Sequence, residues 1–354
     1  MKFPLSRRFL KALRDPERKG VKQILNEYLR LKIRHPEIAE QYFVKYLYRK
    51  DSGDIHAYLN NNRIHKKFWD INHPAYLPAL AVKKNFESFL SQYGIPVVRN
   101  YAYNRNALFF KDDSLILINS PGKFLDFILS LSPDKAFFIK KNENSFGGKD
   151  IFRVNPGKLQ RKSDSLEKIF QQVIQSGYIF QEEIRQHEKM KWFNPNCVNT
   201  IRIITYTNRK RKSKIMGSFL RTALNDSYLD NVSSGGGFIG IDHSKGKLYN
   251  KLYTFFEKGP GKVYGKHPLT GLKFEGIEIP FYHEACDIAV KAASLVAQIN
   301  LVGWDIAIQP YGPVCIEGNI RPGLNGLEIA QKGYKNNPVY LEMLGDFGEY
   351  YANS

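Results

Sequence analysis

Apolar residues along the N-terminal part of the chain recur at helical spacing. Ile24, Tyr28, Leu29 and Leu31 give one amphipathic segment, which His35-Pro36-Glu37 interrupts. Ile38, Tyr42, Phe43, Tyr46 and Leu47 resume the period, so residues 1–75 read as helical, broken at Asp51-Ser-Gly-Asp54 and Asn60-Asn-Asn62. A further helix over 77–93 ends at Gly94 and leads into Ile95-Pro-Val-Val-Arg99, which reads as a strand. Leu115–Ile118 is strand-like, while 124–131 and 165–176 are helical. Strands then dominate: Tyr178–Ile184, Val198–Thr205 and Ser218–Thr222, with Arg202 on the same face as Thr200 and Ile204. Glu284–Asn300 returns to helical spacing, its apolar stripe explained by core packing.

Two stretches carry candidate chemistry. Leu301-Val-Gly-Trp-Asp305-Ile-Ala-Ile and Pro313-Val-Cys-Ile-Glu317-Gly-Asn319 are apolar runs joined by the turn-forming Gln309-Pro-Tyr-Gly312, a β-hairpin pattern. Glu317 and Asn319 lie two apart and so share a face. With Asp305 they supply three hard oxygen ligands of the kind Mg²⁺ prefers. An isolated pattern of this type also fits a hairpin with solvated acids, but charges inside apolar runs are costly to bury unless paired or metal-bound. Upstream, Ala136–Lys141 and Ile151–Val154 read as strands flanking Asn142-Glu-Asn-Ser145-Phe-Gly147-Gly148-Lys149. Glycine-bearing turns let backbone N–H groups approach phosphate oxygens. No GxxxxGK[ST] is present and a strand follows, so this is no Walker motif, and a Gly-Gly hairpin turn fits equally well.

Composition narrows the setting. The 354 residues are 43% apolar and 25% charged, an ordinary soluble balance with room for two or three lobes. No apolar run approaches membrane-spanning length, and the N-terminus lacks a secretory signal pattern, which points to the cytoplasm. Cys197, Cys286 and Cys315 are too few and too widely spaced for a disulfide framework or a structural zinc site. The net charge is +19, and residues 1–70 hold 17 Lys/Arg against 8 Asp/Glu. Such a face suits nucleotides, anionic polymers or peripheral contact with an anionic membrane, or serves solubility alone. No zinc-finger, aromatic RNP or helix-turn-helix pattern accompanies it, which argues against nucleic acid.

In order along the chain, a lysine-bearing strand with a glycine loop, a Gln181-Glu182 hinge, Asn199-Thr-Ile-Arg202, Asp230-Asn231 with Gly235-Gly, and Gly303-Trp-Asp305 with Glu317-Gly-Asn319 resemble the ATP-grasp superfamily, and within it the sugar-transfer-associated group. The likeness covers roughly residues 75–335. It implies an α+β, two-lobed nucleotide-binding fold with a helical N-terminal extension. The expected division is a basic extension over 1–75, an α/β lobe over 76–135, a glycine-loop lid over 136–184 and a catalytic lobe over 185–354.

The resemblance further implies that Lys140 contacts the α- or β-phosphate of ATP. Ser145, Gly147, Gly148 and Lys149 would close over the phosphates, and Gln181, Glu182, Glu183 and Ile184 would read adenine or ribose. Asp305, Glu317 and Asn319 would hold Mg²⁺ or Mn²⁺, and Arg202 and Arg321 would face the γ-phosphate. Arg221 and Asn231 are candidates for the acceptor, though a structural ion pair or turn amide fits them equally. Lys141, Phe146 and Asp150 depart from the family's usual lid residues. The expected reaction joins a carboxylate to an amine through an acyl phosphate, on a saccharide or amino-acid component of a cell-surface polysaccharide. A phosphotransferase acting on a sugar-type substrate and a non-catalytic module binding anionic polymers are the alternatives.

Overall fold

The computed structural model describes residues 5–34, 36–39, 41–58, 71–143, 150–159, 163–227, 235–255 and 261–352. The N-terminal extension begins with helices α1 (Leu5–Leu13), α2 (Val21–Arg34) and α3 (Pro36–Ala39). The helix expected to resume through residue 47 does not: residues 41–48 form consecutive turns, and Tyr46 takes a left-handed φ of 61°. Tertiary anchoring overrides local propensity here. The Tyr46 hydroxyl donates to the Thr254 carbonyl at 2.6 Å and its ring lies 5.5 Å from that of Tyr253. Tyr42, Phe43, Leu47 and Tyr48 are buried around it. Burial of four large side chains at roughly 1.5–3 kcal/mol each outweighs the cost of one positive φ.

The single helix expected over 77–93 is two helices, α4 (Pro78–Ala81) and α5 (Lys83–Gln92), parted at an extended Val82. Val82 offers no side-chain cap; instead Asn142 accepts from the Lys83 N–H through its carbonyl and from the Lys84 N–H through Oδ1, both at 2.9 Å. A residue from a distant strand thus satisfies donors that a helix start leaves open. At the other end Gly94 N–H bonds Ser91 O and Ile95 N–H bonds Leu90 O, with Gly94 at φ 67°, a Schellman cap that needs glycine. Ile95–Arg99 is extended but not a strand: it makes one parallel bridge, Val97 to Cys315. Pro96 has no N–H to extend a ladder, and its carbonyl accepts from Cys315 N–H at 2.8 Å.

The first sheet contains β1 (Asn100–Arg105), β2 (Leu108–Lys111), β3 (Ser114–Leu117), β4 (Phe137–Lys141), β5 (Ile151–Val154) and β6 (Gly177–Glu182), in the order β3-β2-β1-β6-β4-β5. Phe109, Phe124, Phe127, Phe137 and Phe180 centre its core, shared with helices α6 (Pro121–Leu131) and α7 (Ser163–Val173). The boundary expected at residue 135 runs through this sheet, since β4–β6 and β1–β3 are hydrogen-bonded parts of it.

The second sheet holds β7 (Thr200–Thr207), β8 (Ser213–Thr222), β9 (Gly237–Asp242), β10 (Lys247–Tyr253), β11 (Val263–Tyr264), β12 (Leu301–Gln309) and β13 (Gly312–Asn319), in the order β11-β10-β9-β8-β7-β12-β13. Its strands bury both faces. Ile201, Ile203, Trp304 and Ile306 pack with α4, α5 and helix α8 (Tyr282–Leu295). Ile204, Tyr206, Phe219 and Leu301 pack with the N-terminal aromatics and helices α9 (Asn325–Ala330) and α10 (Pro338–Ala352). The extension is therefore part of this lobe's core. Lys45 and Glu328, fully buried, form an ion pair that ties the extension to α9. Cys197, Cys286 and Cys315 are buried and in no disulfide among the described residues. Among the described residues no helix is long and apolar enough to cross a membrane.

Candidate active site

Strand alternation places Trp304 and Ile306 on the face of the second sheet that packs against α8, which turns Asp305 to the opposite face. Ladder register then sets its neighbours. Asp305 lies opposite Arg202 of β7 on one side and opposite Glu317 of β13 on the other, while Arg221 of β8 lies opposite Thr200. A register shift between Asp305 and Ile306 brings the two carboxylates level, a use of bulges common beside functional sites. Four neighbouring strands thus converge polar side chains on one spot, where Asp305, Glu317 and Asn319 come together.

Asp305 is almost completely buried, at 1% exposure. Its carboxylate takes a two-point contact from Arg202, through Nε to Oδ1 and through Nη2 to Oδ2 at 3.0 Å. Arg221 Nη2 reaches Oδ2 at 3.1 Å, while Arg221 Nε donates to Thr200 Oγ1 at 3.0 Å. The Asn319 amide bridges the site, donating to Glu317 Oε1 at 3.1 Å, Gly303 O at 3.2 Å and Asp305 Oδ2 at 3.3 Å. Burial alone raises a carboxyl pKa; at Asp305 the two guanidinium charges outweigh it and hold the group at about 2. Glu317 moves the other way. Burial, then the Asp305 charge and their shared hydrogen bond, raise its pKa above the ordinary value, with Lys83 opposing.

Sequence reasoning missed Lys83. Its backbone N–H is held by Asn142 at the end of β4, and its side chain is close enough to Glu317 for the two charges to interact. Burial lowers the Lys83 pKa and the Glu317 charge partly restores it. A signal was available: Lys83-Lys84 opens α5 with no acid in the first turn, against the helix dipole. Counting Arg202, Arg221 and Lys83 against Asp305 and Glu317, the cluster is cationic before any ligand arrives.

The hinge runs beside this cluster. On β6, Gln181 Oε1 accepts from Lys140 Nζ at 2.8 Å and Gln181 Nε2 donates to Asn100 Oδ1 at 3.2 Å. Glu182 N–H bonds Arg99 O at 3.0 Å. Ile184 packs against Val98, Ala307 and Val314, carrying the chain from the first sheet to the β12–β13 hairpin. Lys140 and the hinge are therefore on one sheet and the carboxylates on the other, with Ile184 between them. Glu183 is engaged elsewhere: Arg153 Nε donates to its Oε1 at 2.6 Å, and the carboxylate is drawn to β5. Arg321 follows β13, is exposed, and forms no ion pair with the Asp305 cluster. Ser145, Gly147, Gly148, Lys149 and Asn231 lie outside the described residues, as does Phe146. Trp304 is a packing residue, fully buried with Nε1 donating to Thr205 Oγ1 at 2.8 Å.

No curated protein sequence matches the chain. Among solved structures it is similar to the ATP-grasp ligase PsnB complexed with minimal precursor, Mg and ADP, at 16% identity and TM-score 0.37 over 77% of this chain and 60% of that one. It is also similar to the D-alanine-D-alanine ligase from Coxiella burnetii, at 10% identity and TM-score 0.41 over 80% and 64%. The chain thus spans less than two thirds of the length of either structure. The family model described as sugar-transfer associated ATP-grasp matches residues 63–337. That match takes in both sheets, the hinge and the Asp305 cluster, and the chain belongs to the sugar-transfer associated ATP-grasp family.

Proposed function

We propose that this chain is an ATP-dependent carboxylate–amine ligase that activates its acceptor as an acyl phosphate. Its substrates would be saccharide or amino-acid components of a cell-surface polysaccharide. The observation that carries the reading is the oxygen cluster of Asp305, Glu317 and Asn319, set among Arg202, Arg221 and Lys83 beside the Gln181–Ile184 hinge. Buried unbridged thiols suit the reducing cytoplasm.

The donor set fits a hard divalent cation such as Mg²⁺ or Mn²⁺, since all of its candidate ligands are oxygens and two are carboxyl groups. Both Asp305 oxygens are already engaged by guanidinium groups, so Glu317 and Asn319 are the residues that would hold the ion, with Asp305 fixed behind them. Glu317 favours such a partner: a cation would offset the Asp305 charge that raises its pKa. When bound, the ion would neutralise and polarise phosphate oxygens.

The chain's own residues do the rest by position and charge. Lys140, held by Gln181, and Lys83, held through its backbone by Asn142, would meet the phosphates from the side of the first sheet. Arg202 and Arg221 stay rigid because Asp305 pins them, so they would present fixed positive charge to a substrate carboxylate oxygen attacking the γ-phosphorus. ADP then leaves. An amine nitrogen adds to the acyl carbon and inorganic phosphate departs, closing the amide. Hinge main-chain groups at Gln181–Ile184 would accept adenine.

Hydroxylamine trapping tests this. With Mg-ATP and a panel of sugar and amino-acid carboxylates, the ligase reading expects ADP release and a hydroxamate from at least one acid. ADP release with a stable phosphate ester and no hydroxamate would instead assign a phosphotransferase. AMP as the product would contradict both.

A further inference from the structure

Helix α2 carries apolar residues on two faces. Ile24 and Leu31 are buried and Tyr28 packs at 6.1 Å against the Tyr42 ring, so the inner face is filled by the aromatic core. On the outer face Val21, Leu25, Leu29 and Ile33 are exposed by 39, 43, 52 and 82%. Spaced four apart, they form one slowly winding ridge on a 3.6-residue helix. At about 100° per residue, exposed Lys22 and Lys32 fall within that ridge and Arg30 at its flank. The helix's one acid, Glu27, faces elsewhere and is bonded by Lys19 at 2.9 Å and Tyr42 at 2.7 Å.

A second observation lies next to it in the chain. Helix α1, which contains no acid, exposes Leu10 by 56% and turns Arg7 and Lys11 into a cavity of about 810 Å³, which Arg14 just beyond the helix also lines. Arg49, Lys251 and Lys262 line the same cavity, together with Asp15 and Glu17. Arg49 is bonded to Asp15 and Asp51, and Lys251 to Asp51 at 2.9 Å. Lys11, Arg14 and Lys262 form no salt bridge among the described residues, although the Asp15 charge acts on Lys11. Burial, and next the Lys262 charge, lower the Lys11 pKa. The cavity borders β11, five strand spacings or about 24 Å across the sheet from β12.

We infer that the N-terminal extension docks on an anionic membrane surface, with the Val21–Ile33 ridge of α2 set into the lipid interface and the α1 cavity receiving lipid phosphate. An apolar ridge whose only charges are cationic is the pattern of an interfacial helix, which combines buried apolar area with attraction to acidic lipid. Nucleic acid would satisfy the cations and leave the ridge in water. A second copy docking ridge to ridge would bring Lys22, Arg30 and Lys32 against their own counterparts.

Vesicle flotation of the full chain tests the inference independently of the ligase reading. Binding is expected to vesicles of equal parts phosphatidylcholine and phosphatidylglycerol, about tenfold weaker to phosphatidylcholine alone, and reduced by salt. Leu25→Glu/Leu29→Glu, with an unchanged circular dichroism spectrum and melting curve, should lower binding about tenfold or more. Lys22→Glu/Lys32→Glu should do the same without removing apolar area, which keeps the test decisive if the first variant fails to fold. Absence of binding to the acidic vesicles, binding that neither variant weakens, or a wild-type dimer that either variant turns into monomers would overturn it.

Discussion

A methyl group at Gly303 would sit 2.9 Å from Pro322 Cβ and 3.2 Å from Arg202 Cδ. The Arg202 stem therefore crosses the β12 backbone where only a glycine leaves room, and this crossing lets its guanidinium reach Asp305. Gly303→Ala is expected to displace Arg202 and lower the ATP-dependent turnover about 10²-fold, the scale for loss of one preorganised charge. Steady-state ADP release checks it, and unchanged turnover would show that the arginine's position does not matter. Asp305 adds a pH signature. Its pKa falls from an ordinary 3.8 to about 2, so it stabilises the fold above pH 3.8, and this contribution fades as pH drops toward 2. The shift corresponds to about 2 kcal/mol. The stability gap between wild type and Asp305→Asn, measured by urea unfolding, should therefore narrow as pH falls through that window. At this scale the carboxylates were legible because a period of two fixes which side chains share a face. Lys83 left a local trace in the acid-free first turn of α5, but its relation to Glu317 arises from a contact between α5 and β13 that no local pattern encodes.

Elements held by local chemistry were readable, and those held by distant partners were not. The β12–β13 hairpin announces itself through two apolar runs and a Pro-Tyr-Gly turn, and α5 ends at Gly94 as its cap requires. The region after α3 looked helical because Tyr42, Phe43, Tyr46 and Leu47 keep helical spacing. Their burial against β10 and the left-handed Tyr46 serve a tertiary core instead. Ile95–Arg99 looked like a strand because it is apolar and extended, yet Pro96 limits it to a single bridge. The buried Lys45–Glu328 pair belongs to this scale, since it joins the extension to α9. Lys45→Met removes the buried cation that pairs with Glu328 and should cost up to about 3–5 kcal/mol, whereas Lys45→Met/Glu328→Leu should recover part of that loss. A chemical-unfolding cycle measures both; two additive losses would mean that the residues do not interact.

Across the whole molecule, two antiparallel sheets meet at the hinge, with Lys140 and Gln181 on one and the Asp305 cluster on the other. Glycine-loop residues 144–149, central to the lid expectation, lie outside the described residues, so the account rests on the Glu317–Asn319 edge of the second sheet. Its most direct test is calorimetric titration of ATP into wild type and Glu317→Gln, each with and without Mg²⁺. The account predicts that wild type binds ATP about tenfold or more tightly when Mg²⁺ is present, and that the variant loses this dependence while remaining folded. Equal ATP affinity in wild type with and without the metal, or a variant that keeps the full metal dependence, would contradict it.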